Sequence, residues 1–334
     1  MFSTRIISHN THYFWKNDEL EVHLCAGKGD CLPVPVFPPF LYLTSGHLMT
    51  QTTDIVHAFR LVRRDGPHAI ALFQCVEKPG NIWESPANAP FGGIQCDVGC
   101  RESELTFFLE CIKDWVNLRS GKRLLIKTAP SCYNPILNSL LHIAYLNTGF
   151  IAIQANLNSF ISINSADFNS HIRPAEKRRL KKAANAGFKA GLANELSSIV
   201  VFEFLEKCRA KKGYRMSLTW TQMNILRQRF PENYLVFTVM DGAKIIALTL
   251  TVRVSDRILY NFLCADLQEY RIYSPVVKLM ECVYQYCQQE KIEILDLGIS
   301  LDQDGNYKPS LSRFKRNIGG QDCTKLTYEI NLAN

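Results

Sequence analysis

Near the end of the chain, the stretch LDLGISLDQDGNYKPSLSRFKRNIGGQ sets Arg313, Lys315 and Arg316 within four positions, just ahead of Gly319-Gly320. Cations this close together either bind an anionic ligand or form a solvated helix face. At helical spacing Arg313 and Arg316 point to different sides from Lys315, so at least one of them meets solvent. A second basic run lies upstream, with six Lys or Arg from Arg173 to Lys182, Arg178 among them. It reads as a solvated helix face, as part of a site for a phosphate-bearing substrate, or as an RNA contact. No RNP-like aromatic motif accompanies it, and RNA binding would show itself in a steep fall of affinity with salt.

The net charge of +7 is unevenly placed. Residues 1–165 carry 13 Lys+Arg against 13 Asp+Glu, and residues 166–334 carry 25 against 18. The whole excess sits in the second half, which favours an anionic partner there. At 334 residues and 47% hydrophobic, the chain has enough apolar material for two cores. Polar residues accumulate in NSADFNSHIRP, so the expected division is 1–165 and 166–334.

The chain has twelve cysteines and no CxxC. Cys96 and Cys100 lack a second pair to complete a zinc site, so no metal is expected. The opening MFSTRIISHNTHYFW has no signal-peptide core, and no apolar run is long enough to span a membrane, so reduced thiols in a cytoplasmic protein are expected. No GxSxG, HExxH or GxxxxGK[ST] occurs, which argues against hydrolase, zincin and nucleoside-triphosphatase chemistry.

The elements that must position these cations follow from periodicity. In the first half, HAIALFQCVE and RLLIKTAP read as strands. SELTFFLECIKDWVNLRSGK reads as a helix with an apolar stripe at Leu105, Phe108, Leu109, Ile112, Trp115 and Val116, capped by Ser103. NPILNSLLHIAYLNTGF is a further helix, and IAIQANLNSFISI one or two strands. In the second half, helices are expected over AEKRRLKKAANAGF, SSIVVFEFLEKCRAKKG and TWTQMNILRQRFP. YLVFTVM, KIIALTLTV and ILYNFLCA follow, joined by the Asp241-Gly242 and Ser255-Asp256 turns, and connections this short demand antiparallel pairing. Ser274-Pro275 then starts the helix VVKLMECVYQYCQQ, with a stripe at Val276, Leu279, Met280, Val283, Tyr284 and Cys287. The helix leads to IEILDLGI, which the crossover makes parallel to ILYNFLCA. A short helix, PSLSRFKRNIG, and a last strand, TKLTYEINL, close the chain.

This order resembles the GNAT acyltransferase fold. LDLGIS…LSRFKRNIGG, with HIRPAEKRRLKKAANAGF upstream, is similar to the branch containing the Fem aminoacyl transferases, whose chains carry two tandem GNAT-like domains. SPANAPFGGI and LLIKTAPSCYNP…LNTGF look like the corresponding first-domain segments. The resemblance implies an α/β (α+β) fold class: two tandem GNAT-like domains with mixed, mostly antiparallel sheets, the second domain holding the donor. It departs from the pattern at two places. The Arg/Gln-x-x-Gly-x-Gly/Ala loop that many GNAT enzymes use for the coenzyme A pyrophosphate is replaced by DLQEYRIYSP, and the helical hairpin arm of some Fem enzymes has no counterpart.

The resemblance implies acyl transfer, from acyl-CoA such as acetyl-CoA or from aminoacyl-tRNA, to the amine of a small molecule, sugar nucleotide or peptide. The donor is a co-substrate and no cofactor is permanently bound. Such transfer needs an aligned donor and acceptor, removal of the amine proton and hydrogen-bond donors aimed at the oxyanion. The splayed strand would be ILYNFLCA, with Asn261 and Cys264 near its end. The helix start at Ser274 to Val276 is expected to receive the donor phosphates. Phe314-Lys315 matches the closing segment whose lysine lies near the acceptor phosphates in the Fem branch, with Arg313 beside it. Asp296 could orient a base or a substrate ammonium, and Tyr260 and Tyr307 could relay protons. Each of the last three has an ordinary structural reading, as a paired carboxylate or packed tyrosines. The alternative in a different class is a non-catalytic protein that binds an anionic ligand in a degenerate GNAT cleft.

Overall fold

Two-residue turns dictate the middle of the second half, and the computed structural model, which describes residues 12–27 and 32–332, pairs its strands accordingly. The chain divides into two compact units. The described residues up to Asn156, together with the segment from Thr324, form the first, and Leu157–Cys323 form the second.

The first unit contains β1 (His12–Lys16), β2 (Leu20–Ala26), α1 (Ser45–Gln51), β3 (Val56–Arg63), β4 (Ala69–Lys78), β5 (Ile82–Ser85), β6 (Gln95–Cys96), α2 (Glu102–Leu118), β7 (Arg123–Lys127) and α3 (Pro135–Asn147). Antiparallel pairing runs from β1 through β5, with β6 beside β4, and the α2 crossover makes β7 parallel to β5. The α2 stripe predicted from periodicity is buried throughout against Phe59, Phe73 and Trp83. Ser103 does not cap this helix. Arg101 is the N-cap, and its N–H donates to the Glu104 carboxylate at 2.8 Å. Glu104 also accepts the Arg63 guanidinium at 2.7 Å, which locks the helix start onto β3.

The first unit's parallel pair is continued by its own loop. Gly92 bridges to Thr128 just past β7, and a Cβ on Gly92 would lie 2.7 Å from the Pro86 nitrogen, so only glycine passes there. Phe91, buried next to it, meets the rings of Phe40, Tyr42 and Tyr133 edge-on at 5.6, 5.1 and 5.5 Å between centroids.

The chain leaves the first unit along β8 (Ile151–Ser162), one continuous strand where the sequence allows one or two. The second unit then adds α4 (Phe168–His171), α5 (Pro174–Asn185), β9 (Lys189–Leu192), α6 (Ser198–Ala210), α7 (Trp220–Arg229), β10 (Tyr234–Asp241), β11 (Lys244–Ser255), β12 (Ile258–Asp266), α8 (Pro275–Gln289), β13 (Ile294–Ile299) and α9 (Pro309–Asn317). The last strand, β14 (Gln321–Asn331), starts in the second unit and finishes in the first, pairing antiparallel with β7 from Thr327↔Lys127 to Asn331↔Arg123.

The second unit's sheet runs β9, β10, β11, β12, β13, β8, with β12 and β13 the parallel pair. α8 packs on β10 and β11, and α6 packs on β12. In α8 the buried stripe comprises Val277, Leu279, Met280, Val283, Tyr284 and Cys287. Val277 therefore takes the place predicted for Val276, which is half-buried. Among the described residues no cysteine is in a disulfide, and no helix is long and apolar enough to cross a membrane.

Candidate active site

The parallel pairing of β12 with β13 lasts three residues, Ile258↔Ile294, Leu259↔Leu295 and Tyr260↔Asp296, and then stops. Two local features turn the strands apart. On β12 the register with β11 passes from Asn261↔Thr251 to Leu263↔Leu250, leaving Phe262 as a bulge, and a bulge bends its strand. On β13 the register with β8 shifts between Asp296 and Gly298.

Asp296 organises that second turn. Its Oδ1 accepts the Gly298 N–H at 2.7 Å and the Asn158 Nδ2–H at 2.8 Å, while the residue is almost fully buried. Gly298 has φ 74°, a left-handed conformation, and a Cβ there would stand 3.1 Å from the Tyr260 ring. Burial, and secondarily the Asp296 charge, push the Tyr260 phenol above its ordinary range.

Helix α9 is bolted to the same place. Lys315 is buried, and its Nζ donates to the carbonyl oxygens of Gly298 at 2.7 Å and Ile299 at 2.8 Å. Burial lowers its pKa to about 8, against the opposing charges of Asp296 and Asp322. Gly320 permits the close turn behind it, since a Cβ there would lie 2.6 Å from the Lys315 carbonyl oxygen. Arg316 pairs with Asp322 at 2.6 Å, and Arg313 is exposed, so the three cations have three different environments.

Beyond the parting strands lies a cavity of about 760 Å³, contained within the second unit. Cys264 and Ala265 from the end of β12 line it, with Arg271 from the 3-10 turn Gln268–Tyr273. Arg209, Lys212 and Tyr214, from α6 and the loop after it, form another wall. The rest comes from the loop between β13 and α9 and from α9 itself, including Asp302, Lys308 and Phe314. Tyr214 joins two walls. Its hydroxyl bonds the Lys308 ammonium, and Lys308 and Arg209 lie 4.8 and 5.9 Å from its ring centroid. Four cations thus face one lining carboxylate, Asp302, whose Oδ1 is held by the N–H groups of Asp304 and Asn306, both at 2.9 Å. Burial, with the Asp266 charge next, pushes the Cys264 thiol up to about 12.

The structure brings Tyr260, Asn261, Asp296 and Lys315 together around the divergence and sets Cys264 in the cavity wall. Asn261 receives the Thr249 hydroxyl at 2.6 Å within the sheet. Tyr307, about half exposed, bridges to Leu301 beside the cavity loop. Arg178 lies on the solvent face of α5, and neither it nor Arg313 lines the cavity. Ser274 occupies the N-cap position of α8 without capping it. Its φ is 51°, and its hydroxyl donates back to the Arg271 carbonyl at 3.4 Å. Pro275 has no N–H and the Val277 N–H is given to the Ser274 carbonyl, so the helix start at Val276 has fewer free amides than the sequence suggests. The cations that line the cavity, Arg209, Lys212, Arg271 and Lys308, were not singled out in the sequence. The signal was present in CRAKKGYR, EYR and NYK.

No family model matches this chain, and no curated protein matches it. Solved structures do. FemX superposes with a TM-score of 0.66 at 12% identity, over 87% of this chain and 92% of that one. The same holds for a tandem GNAT protein from the clavulanic acid biosynthesis pathway, with a TM-score of 0.53 at 8% identity over 94% of this chain and 99% of that one. The fold is a tandem GNAT fold. L-PGS from Bacillus licheniformis shares it, with a TM-score of 0.52 at 10% identity over 78% and 81% of the two chains. Likeness at these identities carries the fold alone, and the function has to be argued from the site.

Proposed function

We propose that this chain is a cytoplasmic acyltransferase whose second unit, within residues 166–334, holds a phosphate-bearing acyl donor, either acyl-CoA or aminoacyl-tRNA. The observation that carries this reading is the divergence of β12 from β13 after the Tyr260↔Asp296 pair, opening toward a cation-lined cavity. The donor's phosphates sit among Arg209, Lys212, Arg271 and Lys308, and its acyl arm runs toward the gap. Backbone N–H groups at the Phe262 bulge polarise the acyl carbonyl as its oxygen gains negative charge. The acceptor amine attacks that carbonyl, the tetrahedral intermediate collapses, and the carrier leaves as thiol or ribose hydroxyl. Tyr260, kept protonated by burial, donates the leaving group's proton and recovers one from the acceptor ammonium, so the transfer is proton-neutral. Lys315 and Asp296 hold the strand ends and do not touch the acyl group. In the first unit the matching parallel pair is closed by the Gly92 bridge and the Phe91 cluster, which leaves the chemistry to the second. The acceptor is an amino sugar, a sugar nucleotide or a peptide amine, as in cell-wall or surface-polysaccharide metabolism.

The test is turnover of acetyl-CoA with an amine panel, followed by aminoacyl-tRNA. Release of carrier that depends on an amine, and falls at least tenfold in Tyr260→Phe, supports the reading. Saturable binding of both donors without turnover would replace it by a non-catalytic anion-binding cleft. One observation favours that second reading: the bulky turn Gln268–Tyr273 and left-handed Ser274 stand where a glycine-rich phosphate loop would be expected.

A further inference from the structure

Asp266, the last residue of β12, holds two of the four cavity cations at once. Its Oδ1 takes the Lys212 ammonium at 3.2 Å and its Oδ2 takes the Arg271 Nε at 3.0 Å, with the carboxylate only 11% exposed. Lys212 follows α6 and Arg271 sits in the turn before α8, so one carboxylate gathers cations from two separate segments. The other two cations, Arg209 and Lys308, are held against the Tyr214 ring.

The charges that face this place can be enumerated. Lys212 and Arg271 adjoin Asp266 directly, Arg209 shares the wall of Lys212, Lys308 comes from the loop before α9, and Asp302 is engaged with its own loop and with the Lys308 charge. A phosphate that reaches Lys212 and Arg271 competes with Asp266 for the same two donors. The carboxylate, itself only 11% exposed, then stays beside the phosphate as a like charge.

We infer that Asp266 is a specificity-determining residue of the cavity: it occupies Lys212 and Arg271 and admits only a ligand with enough negative charge to displace it, a pyrophosphate or closely spaced phosphates. A singly charged carboxylate or sulfonate exchanges one anion for another at those donors and gains nothing. A group with two or more negative charges keeps Lys212 and Arg271 and still engages Lys308. Asp266 therefore lowers affinity for every anion, and only a ligand with two or more negative charges keeps enough attraction to the four cations to bind. This rests on reading the cavity as the donor's site, and the phosphates of a thioester carrier or of an RNA end would both satisfy it.

The experiment titrates the full chain and Asp266→Asn calorimetrically with inorganic pyrophosphate and with acetate. The variant is expected to bind pyrophosphate about tenfold more tightly and to acquire measurable affinity for acetate, while Lys212→Met loses pyrophosphate binding about tenfold. Unchanged or weaker pyrophosphate binding by a folded Asp266→Asn overturns the inference, as does no binding by any of the three proteins. If Asp266→Asn fails to fold, Arg271→Gln serves instead, since it leaves Asp266 a single partner and is expected to weaken pyrophosphate more than Lys308→Met does; equal losses overturn the inference. Coenzyme A and a short single-stranded RNA, titrated in parallel, separate the sources: the gain appears with whichever carries the fitting phosphates, and its absence from both counts against the idea. Pyrophosphate carries no acyl group, so a tighter variant in a protein without turnover removes the acyltransfer reading and leaves this one. Turnover with unchanged pyrophosphate binding does the reverse.

Discussion

The Lys315 ammonium lies 2.7 Å from the carbonyl oxygen of Gly298, seventeen positions earlier in the chain. That contact ties α9 to the strand end that parts from β12. Replacing Lys315 with Met leaves the Gly298 and Ile299 carbonyls without their buried donor, at a cost of about 1–3 kcal/mol per orphaned group. The pH dependence has a defined sign. The folded pKa is lowered to about 8 from 10.5, so across that window the folded protein has released a proton that the unfolded chain still holds. Wild type should therefore gain stability relative to Lys315→Met as pH rises from about 8 to about 10.5. Denaturant midpoints of both proteins across that range check it, and a gap that narrows with pH would contradict the burial.

Glu104 supplies the opposite case. Burial alone would raise its pKa, but the bonds from Arg63 and Arg101 outweigh burial and hold it down to about 2, below the ordinary 4.5. The stability it contributes is complete above about pH 4.5 and is lost as pH falls toward 2. Glu104→Gln is expected to be less stable than wild type by roughly 3 kcal/mol near neutrality, an order-of-magnitude figure from the size of the shift. The two denaturation curves should approach each other below pH 4.5. Parallel curves down to pH 2 would show that the carboxylate's charge is not what matters there.

Gly298→Ala faces both a left-handed φ and the Tyr260 ring. The expected loss is about 1–3 kcal/mol from the backbone alone. Adding Tyr260→Ala should recover the steric part and none of the backbone part, so the double variant's loss should be smaller than the sum of the single ones. Strict additivity in a double-mutant cycle would remove the contact from the account.

Cys264 offers a way to watch the cavity directly. With its thiol pushed up to about 12, maleimide labelling at pH 7.5 should be slow, roughly a hundredfold or more below a free thiol, and should rise about tenfold per pH unit to pH 9. Pyrophosphate should slow it further. Peptide mapping reads the site, and rapid labelling at neutral pH would mean a more open wall.

Much of the second unit was legible in the sequence because local chemistry set it. The Asp241-Gly242 and Ser255-Asp256 turns leave room only for antiparallel neighbours, and α8, with Pro275 at its start, enforces the parallel return of β13. The strands at the start of the first unit, LEVHLCA and VHAFRLVR, are harder to read because His23, Arg60 and His57 interrupt their apolar character, although His57 is buried beside Trp115. Lys315 was singled out, but its burial was not, since spacing reports a helix face and not what covers it. The cavity was the least legible part. Its walls come from residues 209–214, 264–271 and 301–314, which only the folded sheet brings together, and the cations ending α6 read in isolation as favourable charges at a helix C-terminus.

The path of β14 orders events during synthesis. Tyr328 and Ile330 complete the first unit's core, with the Tyr328 ring 4.4 Å from that of Tyr145, yet they leave the ribosome after every residue of Leu157–Cys323. The second unit has all its strands and helices available while the first still lacks the strand that pairs with β7. The part translated second is therefore able to reach its final structure first, and a released, truncated polypeptide ending near residue 323 would carry a finished second unit behind an unfinished first.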